Sequence, residues 1–268
     1  MKKFFSLLLA MTLVVCCFAG CNSGKDAETT ASETEKDAAP VVETIEKGKL
    51  IMATNAYFAP YEYHEGDKIV GIDVEIAEAI AAKLGLELEI KDMEFNSLLV
   101  AVNEGKADMV LAGLTVTEDR KAEVDFSISY ASGVQSIIVK EDSPITTVDD
   151  LFAEGSTYVA GVQLGTTGDT YATGDLGSER VYQVANGNEA ILTLLKGDID
   201  CVIIDNEPAK KYVEANEGLK ILDTSYIEED YAACFAKGNE ELREAVDAAI
   251  EDLIADGTID KIIAKYIK

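Results

Sequence analysis

The 268-residue sequence has no tryptophan, one histidine, four prolines and five cysteines, and its 23 Lys and Arg are outnumbered by 50 Asp and Glu. Each shortage excludes something. With 20 glycines and so little proline the chain is not collagen-like, and five cysteines are too few for a disulfide scaffold. A formal net charge of −27 repels phosphate backbones, so nucleic acid is not an expected partner. The lone histidine, His64, sits in a polar loop and reads as solvent-exposed. A His-based triad and a His/Cys zinc site are therefore excluded, and neither a metal nor a cofactor is expected. No G-x-x-x-x-G-K-[ST] stretch offers a nucleotide cradle. Carboxylates are abundant, but no pair stands out as a general acid/base couple. What is present is an ordinary globular composition, 48% hydrophobic and 27% charged, enough to build a core.

The one apolar run near membrane length lies at the start of the chain. Lys2 and Lys3 precede an almost wholly apolar stretch from Phe4 to Phe18, the layout of a secretory signal. About 15 apolar residues fall short of the roughly 20 that span a bilayer. The run ends in Phe18-Ala19-Gly20-Cys21, which resembles the bacterial lipobox, with Phe18 where Leu is usual. Residues 1–20 are read as a signal peptide and Cys21 as the lipidated new N-terminus. Residues 21–42 hold almost no large apolar side chain and read as a disordered tether. Cys16 and Cys17 leave with the signal. The two remaining cysteines, Cys201 and Cys234, are able to pair in an exported protein, but separate buried thiols are favoured.

Beyond the tether, short apolar runs alternate with helical patterns. Residues 49–54, 69–71, 86–90 and 107–111 read as strands. Val74, Ala77, Ala81 and Leu84 recur at helical spacing before a stop at Gly85, and Asn96 is expected to cap a helix over 97–103. The pattern then restarts with strands at 134–139, 157–162, 181–184 and 199–204. Helices fall at 148–152, after residue 168, and at 189–195 behind an Asn188 cap. Pro208 suits the first turn of another helix. Leu242, Val246, Ala249 and Leu253 mark one face of a long final helix ending near Gly257. Strands alternating with helices imply βαβ units, and the whole reads as two small α/β sheets in tandem.

Two places carry candidate binding chemistry. Arg120 follows the strand over 107–111 at its C-terminal end, where ligands of open α/β sheets collect. Its planar fork suits a carboxylate, and Gly113 allows close backbone approach; it is equally readable as a surface arginine pairing Glu118 or Asp119. Gly165-Thr166-Thr167-Gly168 opens a helix whose free N–H groups suit an anion, although a capped tight turn has the same appearance.

Several motifs then coincide. Gly71-Ile72-Asp73-Val74-Glu75-Ile76 with Ile80-Ala81 and Leu84 resembles the bacterial extracellular solute-binding proteins of family 3, which serve ABC importers of polar amino acids. So do Ala112-Gly113-Leu114-Thr115-Val116-Thr117 with Arg120, Val124-Asp125-Phe126-Ser127, Gly161-Val162-Gln163-Leu164-Gly165-Thr166-Thr167, and the ending Leu242-Arg243-Glu244-Ala245 with Gly257-Thr258. The resemblance runs from about Lys49 to the C-terminus.

It implies an α/β, two-lobed periplasmic-binding-protein-like fold (a type II Venus flytrap) with two hinge crossings, near residues 131–135 and 229–233. Lobe 1 would comprise residues 43–132 plus 231–268, and lobe 2 residues 133–230. In the implied pocket Arg120 clamps a ligand α-carboxylate, helped by the Thr115 hydroxyl and the N–H groups of Gly113 and Thr167. Asp205 takes the α-ammonium, Phe58 and Phe95 sandwich the aliphatic part, and Asn55 and Gln163 select among side chains. Phe58 and Phe95 are also readable as simple core aromatics. Relatives with Ser at the position of Ala112 have one donor more, and many have Asp in place of Asn55.

The expectation is a monomeric, lipid-anchored, extracytoplasmic binding protein that hands a neutral, glutamine-like amino acid to ABC permease subunits. The competing expectation is a cyclohexadienyl (arogenate or prephenate) dehydratase-like enzyme on the same fold. A receptor sensory domain is a weaker third.

Overall fold

The computed structural model describes residues 42–223 and 225–267; the signal segment, Cys21 and the expected tether up to residue 41 lie outside the described residues. The first half of the body contains β1 (Lys49–Thr54), β2 (Tyr57–Phe58), β3 (Glu62–Glu65), β4 (Lys68–Val70), α1 (Ile72–Leu84), β5 (Glu87–Asp92), α2 (Leu98–Asn103), β6 (Met109–Val110) and α3 (Glu118–Glu123). A 17-residue strand, β7 (Val124–Lys140), leads into the second half. There follow α4 (Asp149–Phe152), β8 (Ala160–Gln163), α5 (Thr167–Leu176), β9 (Val181–Val184), α6 (Gly187–Lys196), β10 (Cys201–Asp205), α7 (Asn206–Ala215) and β11 (Leu219–Ile221). β12 (Ile227–Ala236) returns, and α8 (Glu240–Ala255) and α9 (Thr258–Tyr266) complete the chain.

The helices form where apolar periodicity and end signals agree. α1 buries Val74, Ala77, Ala81 and Leu84, and stops at Gly85, which takes φ 69° and donates to the carbonyls of Ala81 and Ala82. Left-handed backbone of that kind costs a residue with a Cβ far more than glycine. α8 buries Leu242, Val246, Ala249 and Leu253, and packs with α1 on β1, β6 and β12 in one core. Val42, expected as the end of the tether, is packed against that core. Separate clusters around Ile137, Val162 and Ile203, and around Ile138, Leu194 and Val202, fill the second half.

Each half carries its own parallel pairs, β1 with β5 and β6, and β8 with β9 and β10. The sequence led to two separate sheets. Instead one path runs β5-β1-β6-β12-β7-β10-β8-β9, with β11 added to β7. It is continuous because β7 and β12 pair antiparallel straight through the middle, from Val124↔Ala236 to Gln135↔Ile227, with register shifts on either side of Ala232. These two strands are the crossings of a two-lobed fold. Bulges there add local twist and bend the ladder where the lobes meet.

Local expectations fail in instructive places. Asn96 lies inside a 3-10 turn, and α2 begins after Ser97 with no side-chain cap. α6 is capped by Asn186, whose side chain accepts the Glu189 N–H, rather than by Asn188. The final helix is followed by α9, whose Ile259 and Ile262 are buried. Cys201 and Cys234 are free and buried in different cores, and burial pushes both thiols up to about 12.

Gly71, just before α1, is held at φ 137°, and a Cβ there would lie 2.1 Å from the Tyr61 carbonyl oxygen. Gly71→Ala is expected to destabilise the protein by about 2 kcal/mol or more, from strain and backbone displacement together. Thermal or urea melting reads this directly, and an unchanged midpoint refutes it.

Candidate functional site

A cavity lies between the lobes, with every expected ligand-binding residue on its wall. From lobe 1 come Asn55 after β1, Phe58 on β2, Phe95 before α2, Ala112, Gly113 and Thr115 after β6, and Arg120 on α3. From lobe 2 come Gln163 at the end of β8, Thr167 at the start of α5, and Asp205 at the end of β10. Strand ends and helix starts dominate because parallel strands deliver their C-terminal ends to one edge.

The lobes already touch beside this cavity, where Gln163 Nε2 donates to Asn55 Oδ1 at 2.9 Å and Arg120 Nη2 to the Gly165 carbonyl at 3.1 Å. Away from it the Tyr212 hydroxyl donates to the Tyr57 carbonyl at 3.2 Å. Arg120 also donates through Nη1 to the Thr115 carbonyl at 2.8 Å and lies over the Phe95 ring, 5.6 Å from its centroid. It forms no ion pair with Glu118 or Asp119; Glu118 pairs with Lys121 instead. Thr166 caps α5 by accepting the Asp169 N–H.

Asp205 is 1% exposed. Its Oδ2 accepts from the Tyr231 hydroxyl at 2.5 Å and the Val134 N–H at 3.0 Å, and its Oδ1 accepts from the Glu207 N–H at 3.0 Å. Burial pushes its carboxyl up to about 6 against the pull of those donors. Burial likewise lowers the Arg120 guanidinium, with Glu229 opposing. Two ionisable groups of opposite sign, one per lobe, thus line the same cavity.

Two expected roles are corrected. The Gly113 N–H is not available to a ligand, because it donates to the buried Asp73 Oδ2 at 2.8 Å. What Gly113 contributes is space: at φ 51°, its missing Cβ would fall 2.6 Å from the Phe58 ring. The Thr115 hydroxyl gives its single proton to Glu229 Oε2 at 3.1 Å, so it is not a carboxylate donor in this arrangement.

Sequence reasoning passed over four polar wall residues, Glu62, Gln135, Glu229 and Tyr231. Glu62 is fully buried, with no hydrogen-bond partner for either carboxyl oxygen; burial first, then the Asp73 charge, push its carboxyl well above the usual range. Asp73 in turn fixes Gly113 and the Tyr130 hydroxyl. Among 50 acidic residues nothing but the apolar neighbours of Glu62 hints at burial. His64 is half-exposed and bonds Asp92 at 2.9 Å. Among the described residues no His/Cys/Asp/Glu cluster suits a metal, and no helix is long and apolar enough to cross a membrane.

The profile of the bacterial extracellular solute-binding proteins, family 3, matches residues 50–268. The chain belongs to that family. Among family 3 relatives, the arginine-binding extracellular protein ArtP of Bacillus subtilis (strain 168) is 33% identical over 273 residues, covering 99% of this chain and 98% of ArtP. An ancestral arginine-binding protein, solved bound to glutamine, is 38% identical with a TM-score of 0.77, covering 83% of this chain and 99% of that one. The ancestral amino acid-binding protein AncCDT-1, described as a precursor of cyclohexadienyl dehydratase, is 29% identical with a TM-score of 0.76, covering 82% and 96%. By the family match this chain is an extracellular solute-binding protein of family 3.

With Asp205 protonating near pH 6 in the free protein, an ammonium partner requires the ionised form that dominates above that point. Affinity for an amino acid is therefore expected to fall as pH drops below 6, by about tenfold per unit at the limit set by competition with one proton. Asp205→Asn is expected to bind weakly with a flat profile over pH 5–7. Calorimetric titration across that range checks both, and a flat profile in the unmodified protein refutes the role.

Proposed function

We propose that the chain is a monomeric lipoprotein, anchored through Cys21 on the extracytoplasmic face of the cell membrane, that captures a polar amino acid between its lobes and delivers it to ABC permease subunits. The hinge is placed near residues 131–135 and 229–233, so that residues 43–132 plus 231–268 move against 133–230. The observation that carries the reading is the pairing of Arg120 from one lobe with Asp205 from the other on a single cavity wall. A zwitterion has one anion and one cation an amino-acid backbone apart, and charge-assisted bonds to both contribute roughly 1.5–3 kcal/mol each. The ligand then bridges the lobes and shifts the population toward the closed form.

On the cavity wall Asn55 and Gln163 offer amide groups, and burial pushes the Glu62 carboxyl well above its usual range. A glutamine-like side chain fits that polarity. A second reading, arginine, is favoured by Glu62 itself, because a guanidinium reaching that part of the wall meets a buried carboxyl that has no hydrogen-bond partner. Asp73 on α1, Asp92 on β5, Tyr61 and Tyr130 interact with Glu62, and none of them is a cation. Arginine affinity relative to glutamine affinity is therefore expected to rise with pH if arginine is the ligand. Titrating both amino acids at pH 6 and 8 decides between them; lysine and glutamate serve as controls.

No bond is made or broken in this reading, and incubation with arogenate or prephenate is expected to give no turnover. Arg120→Ala is expected to keep the fold but lose ligand-induced stabilisation, which for the unmodified protein amounts to about 2.7 kcal/mol at a ligand concentration of 100 Kd. Unchanged ligand-dependent melting removes Arg120 from the clamp.

A further inference from the structure

Glu229 stands on β12 at the crossing, opposite Gly133 of β7. It lines the cavity and is 6% exposed. Oε2 accepts from Gln135 Nε2 at 2.9 Å and from the Thr115 hydroxyl at 3.1 Å, while Oε1 is buried without a hydrogen-bond partner. No cation lies within ion-pair distance of it among the described residues.

The consequence falls on Thr115. A hydroxyl has one proton and two lone pairs. Its other neighbour, the Thr167 hydroxyl, is 3.5 Å away, too far to compete with a carboxylate acceptor at 3.1 Å. Thr115 is itself 5% exposed, so water does not relieve the constraint. With the proton committed to Glu229, Thr115 turns lone pairs, not a donor, toward the cavity. Gln135 reinforces the arrangement, since its amide nitrogen already occupies the same Oε2 from the other side.

We propose that Glu229 is a specificity-determining positioning residue: by taking the Thr115 proton it makes Thr115 an acceptor for the ligand's α-ammonium, and so makes the main-chain end of the site demand an amine as well as a carboxylate. This rests on the amino-acid reading and on Asp205 marking the ammonium end. Thr115 and Asp205 then accept from the same ammonium, one from each lobe.

The test compares ligands that differ only in the amine: glutamine with 4-carbamoylbutanoate, and arginine with 5-guanidinopentanoate, titrated calorimetrically into the full chain. The unmodified protein is expected to prefer the amino acid strongly in whichever pair it binds. Glu229→Leu frees the Thr115 proton, and is expected to weaken the amino acid by about tenfold or more, the scale of one charge-assisted bond, while leaving the amine-free analogue unchanged or improved. Glu229→Gln keeps an acceptor oxygen of the same reach and is expected to be intermediate. In a Thr115→Val background the Glu229 substitutions are expected to change the preference much less.

A role in hinge packing alone weakens both members of a pair equally, and that result overturns the proposal. A preference for the amine that survives undiminished in both Glu229→Leu and Glu229→Gln also overturns it, leaving the binding reading intact. Absence of binding by either amino acid to the unmodified protein overturns the ligand reading, and this proposal with it.

Discussion

Taking charge out of water sets the terms for this molecule. Arg120 and Asp205 are both desolvated where the lobes meet, and a buried charge is costly unless it is paired and hydrogen-bonded. The protein satisfies each only in part and with neutral groups: Arg120 with the carbonyls of Thr115 and Gly165, Asp205 with a tyrosine hydroxyl and two backbone N–H groups. Neither charge is given to the other. In the proposed reading a dipolar ligand completes both at once, so binding and closure share one energetic origin.

The crossing strands make that coupling mechanical. The Val134 N–H that holds Asp205 belongs to β7, and the Tyr231 hydroxyl that holds the same oxygen belongs to β12. Between them Gly133 has no room for a Cβ, which would come within 2.2 Å of the Tyr231 hydroxyl and 2.4 Å of Asp205 Oδ2. The strands that cross between the lobes therefore also orient the acid in the site. Glu229, two residues before Tyr231 on the same face of β12, extends the same arrangement to Thr115 in the other lobe.

Much of this was legible in the sequence. Helices such as α1 and α8 follow from periodicity plus a terminal glycine, both local signals. The cavity wall, from Asn55 to Asp205, followed from family-like motifs set on the C-terminal ends of strands. Caps were less legible, because Asn96 and Asn188 each have a neighbour that competes for the same role within two residues. Sheet continuity was not legible, since pairing between β7 and β12 joins segments roughly a hundred residues apart. Glu62 and Glu229 were missed for a related reason. A glutamate in a chain this acidic looks like solvated surface until tertiary contacts bury it, and the direction of the Thr115 proton depends on that burial.

Cys201 and Cys234 sit in different lobes, reduced and sealed in apolar cores. Covalent cross-linking therefore plays no part in holding the described body together; packing and backbone pairing suffice. In the proposed extracytoplasmic reading, the redox state of the surroundings therefore finds no disulfide in the described body to break.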